Sequence, residues 1–192
     1  MGKELADNFT EAKQVFEEVN DALNFNLTRV MWEGTNEEIS FTSNAQPALM
    51  ACSIATLRVL NKITKKKLTD LAGYVCGHSL GEYTAMTAAE VFSLDQCAIL
   101  LRLRGNAMQE AVPIGKGAMA ALIGTNIEIA KKIIVKVKSC GVCDIANDNS
   151  DSQVVISGDI LAVENAMKLS KDLGIKKAVL LPVSAPFHCR LM

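Results

Sequence analysis

A serine set between two glycines, Gly77-His78-Ser79-Leu80-Gly81, follows the apolar run Leu71–Cys76 and precedes a run of helix formers from Leu80 to Glu90. This is the G-x-S-x-G spacing, in which a sharp strand-to-helix turn projects a serine hydroxyl out of the backbone. A β-carbon at Gly77 or Gly81 would crowd the chain reversal, and glycine has none. The N–H of Leu80 would open the following helix, where orphan donors and the positive end of the dipole can receive an oxyanion. The chemistry this allows is acyl transfer or acyl hydrolysis through Ser79. The plain alternative is a glycine-rich turn between a strand and a helix.

A serine at neutral pH needs a base to take its proton. The chain has two histidines. His78 is adjacent to Ser79, and neighbouring side chains on such a turn point apart, so its expected role is packing or hydrogen bonding at the turn. His188, in Pro182-Val-Ser-Ala-Pro-Phe-His188, is the candidate base, carried on a proline-stiffened loop. A third piece lies in the helix after Ser93, where Cys97, Leu101, Arg104 and Met108 share one face. An arginine in an apolar stripe is costly unless it meets an anion. Its planar fork suits a carboxylate on a substrate; the plain alternative, which periodicity alone favours, is that it snorkels to the surface or pairs with a structural acid. Arg102 points elsewhere and is expected at the surface.

The elements that must position these residues follow from periodicity and capping. Asp7 to Leu23 reads as an amphipathic helix, a polar stretch runs to about Ser43, and Pro47 fits the first turn of a helix to about Asn61. A strand over Leu71–Cys76 leads into the Ser79 turn. Ser93-Leu-Asp-Gln96 reads as a capping box opening a helix to about Val112. From Gly115 the pattern changes to a strand (118–123), a helix capped by Thr125, a strand (142–146), a turn over 147–151, a strand (153–157), a helix capped by Asp159 and closed by Gly174, and a strand (177–182). The order βαββαβ is the ferredoxin-like split motif.

Composition bounds the alternatives. The chain has 192 residues, is 49% hydrophobic and carries a net charge of −1. That suits a globular core and gives no basic footprint for nucleic acid. Lys65-Lys66-Lys67 reads as a solvated loop. No apolar stretch reaches spanning length, and the N-terminus has no signal-like apolar region, so a cytoplasmic protein is expected. The six cysteines sit mostly in apolar runs and read as buried, reduced thiols; Cys140-Gly-Val-Cys143 has no second ligand pair, so no metal site is expected.

Taken together, Gln46-Pro47-Ala48, Gly77-His-Ser-Leu-Gly-Glu-Tyr83, Leu103-Arg-Gly105 with Met108-Gln109, Gly117-Ala-Met-Ala120, Gln153-Val-Val-Ile-Ser-Gly158 and Pro182-Val-Ser-Ala-Pro-Phe-His188 resemble the malonyl-CoA:acyl carrier protein transacylase family, in family order and over nearly the whole chain. The resemblance implies Ser79 as nucleophile, His188 as base, the Leu80 N–H in the oxyanion hole and Arg104 on the malonyl carboxylate, with Met108 and Phe187 in the substrate-binding set. Phe187 resembles the bulky aromatic of malonyl-selective members. The implied fold is an α/β-hydrolase-like parallel-sheet domain (1–114 and 183–192) with an inserted ferredoxin-like subdomain (115–182). The implied partners are malonyl-CoA and acyl carrier protein with its phosphopantetheine thiol. No cofactor beyond these is implied, and the expected state is a monomer. A basic patch of Lys116, Lys131, Lys132 and Lys136 is a candidate docking surface for an acidic carrier.

The family pattern opens with a strand and a Gly-Gln-Gly-Ser-Gln turn that supplies a second oxyanion donor, and it continues past the histidine. This chain starts at Met1-Gly-Lys-Glu-Leu and stops at Met192, so an incomplete parallel sheet is expected. Two rival readings stand beside the transferase. A serine esterase or thioesterase would use water as acceptor and need no Arg104. A catalytically incomplete piece of the transacylase would carry the residues without assembling the site.

Overall fold

Residues 10–23 place Ala12, Val15, Phe16 and Val19 on one helical stripe, and all four are buried in the structure. The computed structural model describes residues 1–192, and these fall into two units, Met1–Asn106 and Ala107–Met192. The first unit contains helices and no strand. It comprises α1 (Lys3–Asn8), α2 (Thr10–Leu23), α3 (Leu27–Glu33), α4 (Asn36–Ser40), α5 (Thr42–Thr64), α6 (Leu68–Leu71), α7 (Leu80–Ala88) and the start of α8 (Leu94–Ala111). Its core joins the α2 stripe to Met50, Ala51 and Ile54 of α5 and to Cys97 and Leu101 of α8. Trp32 of α3 sets its ring edge on Phe16 at a centroid distance of 5.6 Å.

Four expectations for this unit are corrected. The polar stretch after Leu23 holds two short helices, each with a side-chain cap. Asn26 accepts from the Arg29 N–H, and Thr35 and Glu38 close a capping box. Pro47 lies inside α5 rather than in its first turn, because the helix begins at Thr42. Arg102 is half-buried, donates to Asn44 Oδ1 (2.7 Å) and lies over the Phe25 ring; burial pushes its guanidinium below the usual range. Residues 72–78 form no strand. Their backbone finds no ladder partner, and a strand exists only as paired hydrogen bonds. Tyr74 there is 98% exposed.

The second unit contains the rest of α8, β1 (Gly117–Ile123), α9 (Ile127–Val137), β2 (Cys143–Ser150), β3 (Gln153–Asp159), α10 (Ile160–Asp172) and β4 (Lys177–Leu180). Its four strands pair antiparallel in the order β2-β3-β1-β4, so the structure contains no parallel ladder. Alternation along β1 sends Ala118, Ala120 and Leu122 into a core with α9 and α10, and Met119 and Ala121 to the opposite face. The helix caps differ in detail from those expected. Asn126, not Thr125, accepts from the Ile129 N–H at 3.1 Å, and Asp159 turns its carboxylate to the Val142 N–H at 2.7 Å instead of capping α10. The expected turn over 147–151 is largely strand, because two irregularities in register let β2 stay paired with β3 as far as Ser150. Two of the six cysteines, Cys76 and Cys140, are exposed rather than buried. No helix is long and apolar enough to cross a membrane.

Candidate active site

Ser79 is the N-cap of α7 and takes φ 56°, ψ −116°. A residue with a β-carbon pays roughly 1–3 kcal/mol for such backbone, and strain of this kind clusters at functional sites. The turn that enforces it is tight. A β-carbon on Gly77 would stand 1.9 Å from the carbonyl carbon of Gly81, so the two glycines cross in contact. The N–H groups of Gly81 and Glu82 are taken by the carbonyls of His78 (2.9 Å) and Ser79 (3.2 Å). The Leu80 N–H, first in the helix, enters neither bond.

Arg104 meets this turn directly. Its Nη2 donates to Ser79 Oγ at 3.0 Å, and its Nη1 donates to Gln46 Oε1. Gln46 is 3% exposed and donates in turn to Thr42 Oγ1 at 2.6 Å. The guanidinium also stands 5.8 Å from the Tyr83 ring centroid. The fork is therefore aimed by a buried amide on one side and an aromatic face on another. No Asp or Glu forms an ion pair with it. Close packing of α8 on α5 makes this reach possible, since a β-carbon on Gly105 would lie 2.5 Å from Ser43 Cα.

Gln46 and Tyr83 carried no role in the sequence reading. No sequence signal marks Gln46, whose partner Arg104 lies across the fold; the signal for Tyr83 is its place one helical turn after Ser79.

Met108, Phe187 and His188 belong to the second unit. Met108 is half-buried on α8. Phe187 packs on the open face of the sheet against Met119, Ala121 and Val155. His188 is exposed with φ 58°, the left-handed region. The loop that carries it is held at several points. Gln109 Nε2 donates to the Ser184 carbonyl (3.3 Å), Cys189 Sγ to the Pro186 carbonyl (3.1 Å), and Gly117 leaves room for the Pro186 ring, which a β-carbon would meet at 2.3 Å.

Within the first unit the structure thus joins a serine on a strained turn, a helix-opening N–H and an arginine fork without a carboxylate partner. This arrangement can bind a carboxylate beside a nucleophilic oxygen. The chain matches the acyl transferase domain over residues 1–192. It is 44% identical to the malonyl CoA-acyl carrier protein transacylase of Bacillus subtilis over 193 residues, covering 100% of this chain and 59% of that protein. It is 40% identical to the Haemophilus influenzae protein of the same name, covering 98% and 60%. Among solved structures it is similar to the acyl-carrier-protein S-malonyltransferase of Bartonella henselae, with TM-score 0.94, 50% identity and coverage of 100% and 60%. Another similar structure is a type II PKS acyl-carrier protein in complex with its malonyl-transacylase, with TM-score 0.85, 39% identity and coverage of 98% and 60%. The chain spans about 60% of the length of these relatives. On the match across its whole length, the chain belongs to the acyl transferase domain family.

Proposed function

We propose that this chain carries the acyl-enzyme centre of a malonyl-CoA:acyl carrier protein transacylase. The observation that carries the reading is the Arg104 guanidinium on the Ser79 hydroxyl. In malonyl-CoA one methylene separates the free carboxylate from the thioester carbonyl, so a group that binds the carboxylate must stand beside the nucleophile. Relatives at 44% and 40% identity are malonyl CoA-acyl carrier protein transacylases by name, which supports the same substrate.

In this reading Arg104 takes the malonyl carboxylate, with Gln46 holding one of its nitrogens. His188 accepts the Ser79 proton as Oγ bonds to the thioester carbon. The oxyanion rests on the Leu80 N–H. The carbon–sulfur bond then breaks, CoA leaves with the proton from His188, and a malonyl-serine ester stays. The phosphopantetheine thiol of the carrier protein gives its proton to His188 and attacks that ester; the ester carbon–Oγ bond breaks, and His188 returns the proton to Ser79 Oγ. Every proton and electron pair is accounted for, so the reaction calls on no metal or redox cofactor. Met108 and Phe187 would line the acyl site. An aromatic at Phe187 would disfavour a branched malonyl group by about 1–3 kcal/mol.

The finer architecture belongs to the same proposal. The βαββαβ order and the β2-β3-β1-β4 sheet support a ferredoxin-like subdomain at 115–182, set into a hydrolase-like domain of 1–114 and 183–192. A cytoplasmic monomer that receives an acidic carrier protein fits the composition.

The test is intact-mass spectrometry after brief mixing with malonyl-CoA. A malonyl adduct is expected on the parent and not on Ser79→Ala; an adduct on both would sink the assignment of Ser79. Arg104→Ala is expected to lower acylation by malonyl-CoA roughly 10- to 100-fold, the worth of a charge-assisted pair, while acetyl-CoA is used as well or better. Loss of both acyl donors alike would point to a hydrolase-type serine with Arg104 as support.

A further inference from the structure

We infer that Asp144 and Arg190 form a clamp that positions the His188 loop on the second unit's sheet; this deepens the reading of His188 as the base and rests on it. The sheet has one face covered by α9 and α10 and another that receives residues 181–190. On that second face the loop is held ahead of His188. The Leu181 N–H donates to the Met119 carbonyl at 2.8 Å, and Phe187 sits against Met119, Ala121 and Val155. Behind His188 the attachment is Asp144 of β2. Its Oδ2 accepts from the Arg190 backbone N–H at 2.9 Å and from Nε at 3.0 Å, while Oδ1 accepts from Nε at 3.2 Å and from Nη2.

The form of this contact argues for geometry rather than stability. The Arg190 side chain is 68% exposed and that of Asp144 19% exposed, and an ion pair with so wet a cation stabilises little. Yet one carboxylate holds both the peptide N–H and the side chain of the same residue. That fixes the plane of the 189–190 peptide as well as its location. A left-handed residue two positions before it, His188 at φ 58°, is the conformation that such two-sided anchoring can hold. Asp144 and Arg190 touch no reacting atom; they act through His188, and both are positioning residues. Displacing a base by a fraction of an ångström lowers the rate without weakening substrate binding.

The experiment uses the 192-residue chain with Asp144→Asn, Arg190→Gln and the double variant. It reads the rate of Ser79 acylation against malonyl-CoA concentration, and the imidazole proton resonances, assigned with His78→Gln because there are two histidines. Each single variant should slow acylation about tenfold with half-saturation unchanged within about twofold, and the double should be no slower than the slower single. The His188 resonance should move and that of His78 should not. Unmoved His188 resonances, or single effects that simply add in the double, would overturn the clamp. If the parent itself is not acylated, the proposed function fails, and the clamp is still decided by whether the His188 resonance moves. A role confined to stability would lower the melting temperature and leave the resonance and rate of the folded fraction where they were.

Discussion

At the scale of single residues, the site turns on how an arginine is aimed. Arg104 has donors to spare, and left alone its side chain would sample many rotamers before meeting a carboxylate. Gln46 removes that freedom, since its carbonyl holds Nη1 and its amide is itself tied to Thr42. Gln46→Leu keeps the volume and discards the acceptor. Acylation by malonyl-CoA should then fall about tenfold in kcat/KM, the worth of one hydrogen bond to a charged group, with acetyl-CoA little affected. Equal losses for both donors would mean that Gln46 supports the Ser79 turn instead. Arg104 was legible in the sequence because a charge in an apolar stripe demands an explanation. Gln46 was not, because a buried amide is recognisable only once its partner is known. Arg102 shows the limit from the other side: helical phase alone put it at the surface, and Phe25 and Asn44, distant in sequence, draw it inward.

At the scale of elements, local signals succeeded where the partner was local and failed where it was remote. The Ser79 turn was readable because two glycines and a following helix fix it within a few residues. The strand over 71–76 was not realised, because an apolar run states what a segment could pair with and cannot supply the pair. Its backbone amides are therefore expected to exchange with solvent orders of magnitude faster than those of β1 and β3, which hydrogen exchange with mass spectrometry would show. Protection of 72–78 equal to that of β1 would contradict the unpaired state. Helices α2 and α5 offer a second prediction. Glu18 binds Arg58 at 2.6 and 2.9 Å, and Glu11 binds Lys62 at 2.8 Å. The hydrogen bond from each cation holds its carboxyl below the usual carboxylate range. A depressed folded-state pKa means the contribution is whole above the unfolded value near pH 4.3 and fades as pH falls through the folded value. Thermal melts of Glu11→Gln/Glu18→Gln should match the parent more closely at pH 3 than at pH 7. A gap that widens on acidification would reverse the sign.

At the scale of the whole molecule, the two units differ in how much of them the sequence discloses. The second was readable almost strand by strand, because antiparallel strands with one covered face alternate, and its errors sit at ends and bulges. The first has no strand to count and a core shared among helices, two of them short capped turns that looked like polar linker. Thiol chemistry gives an independent check on both units at once. Cys97 is 0% exposed and Cys143 4% exposed, the first in the helical core and the second at the base of β2. Burial, with Asp144 alongside, pushes the Cys143 thiol up to about 12, so it holds its proton throughout the neutral range. Cys76 and Cys140 are exposed, one in each unit. Brief iodoacetamide treatment at pH 8 should therefore label Cys76 and Cys140 first and leave Cys97 and Cys143 until denaturant is added. Peptide mapping reads all of these positions in one digest. Early labelling of Cys97 would mean the helical unit opens while the sheet unit stays closed; early labelling of Cys143 would mean the reverse. Each outcome thus reports on one core independently of any acyl chemistry.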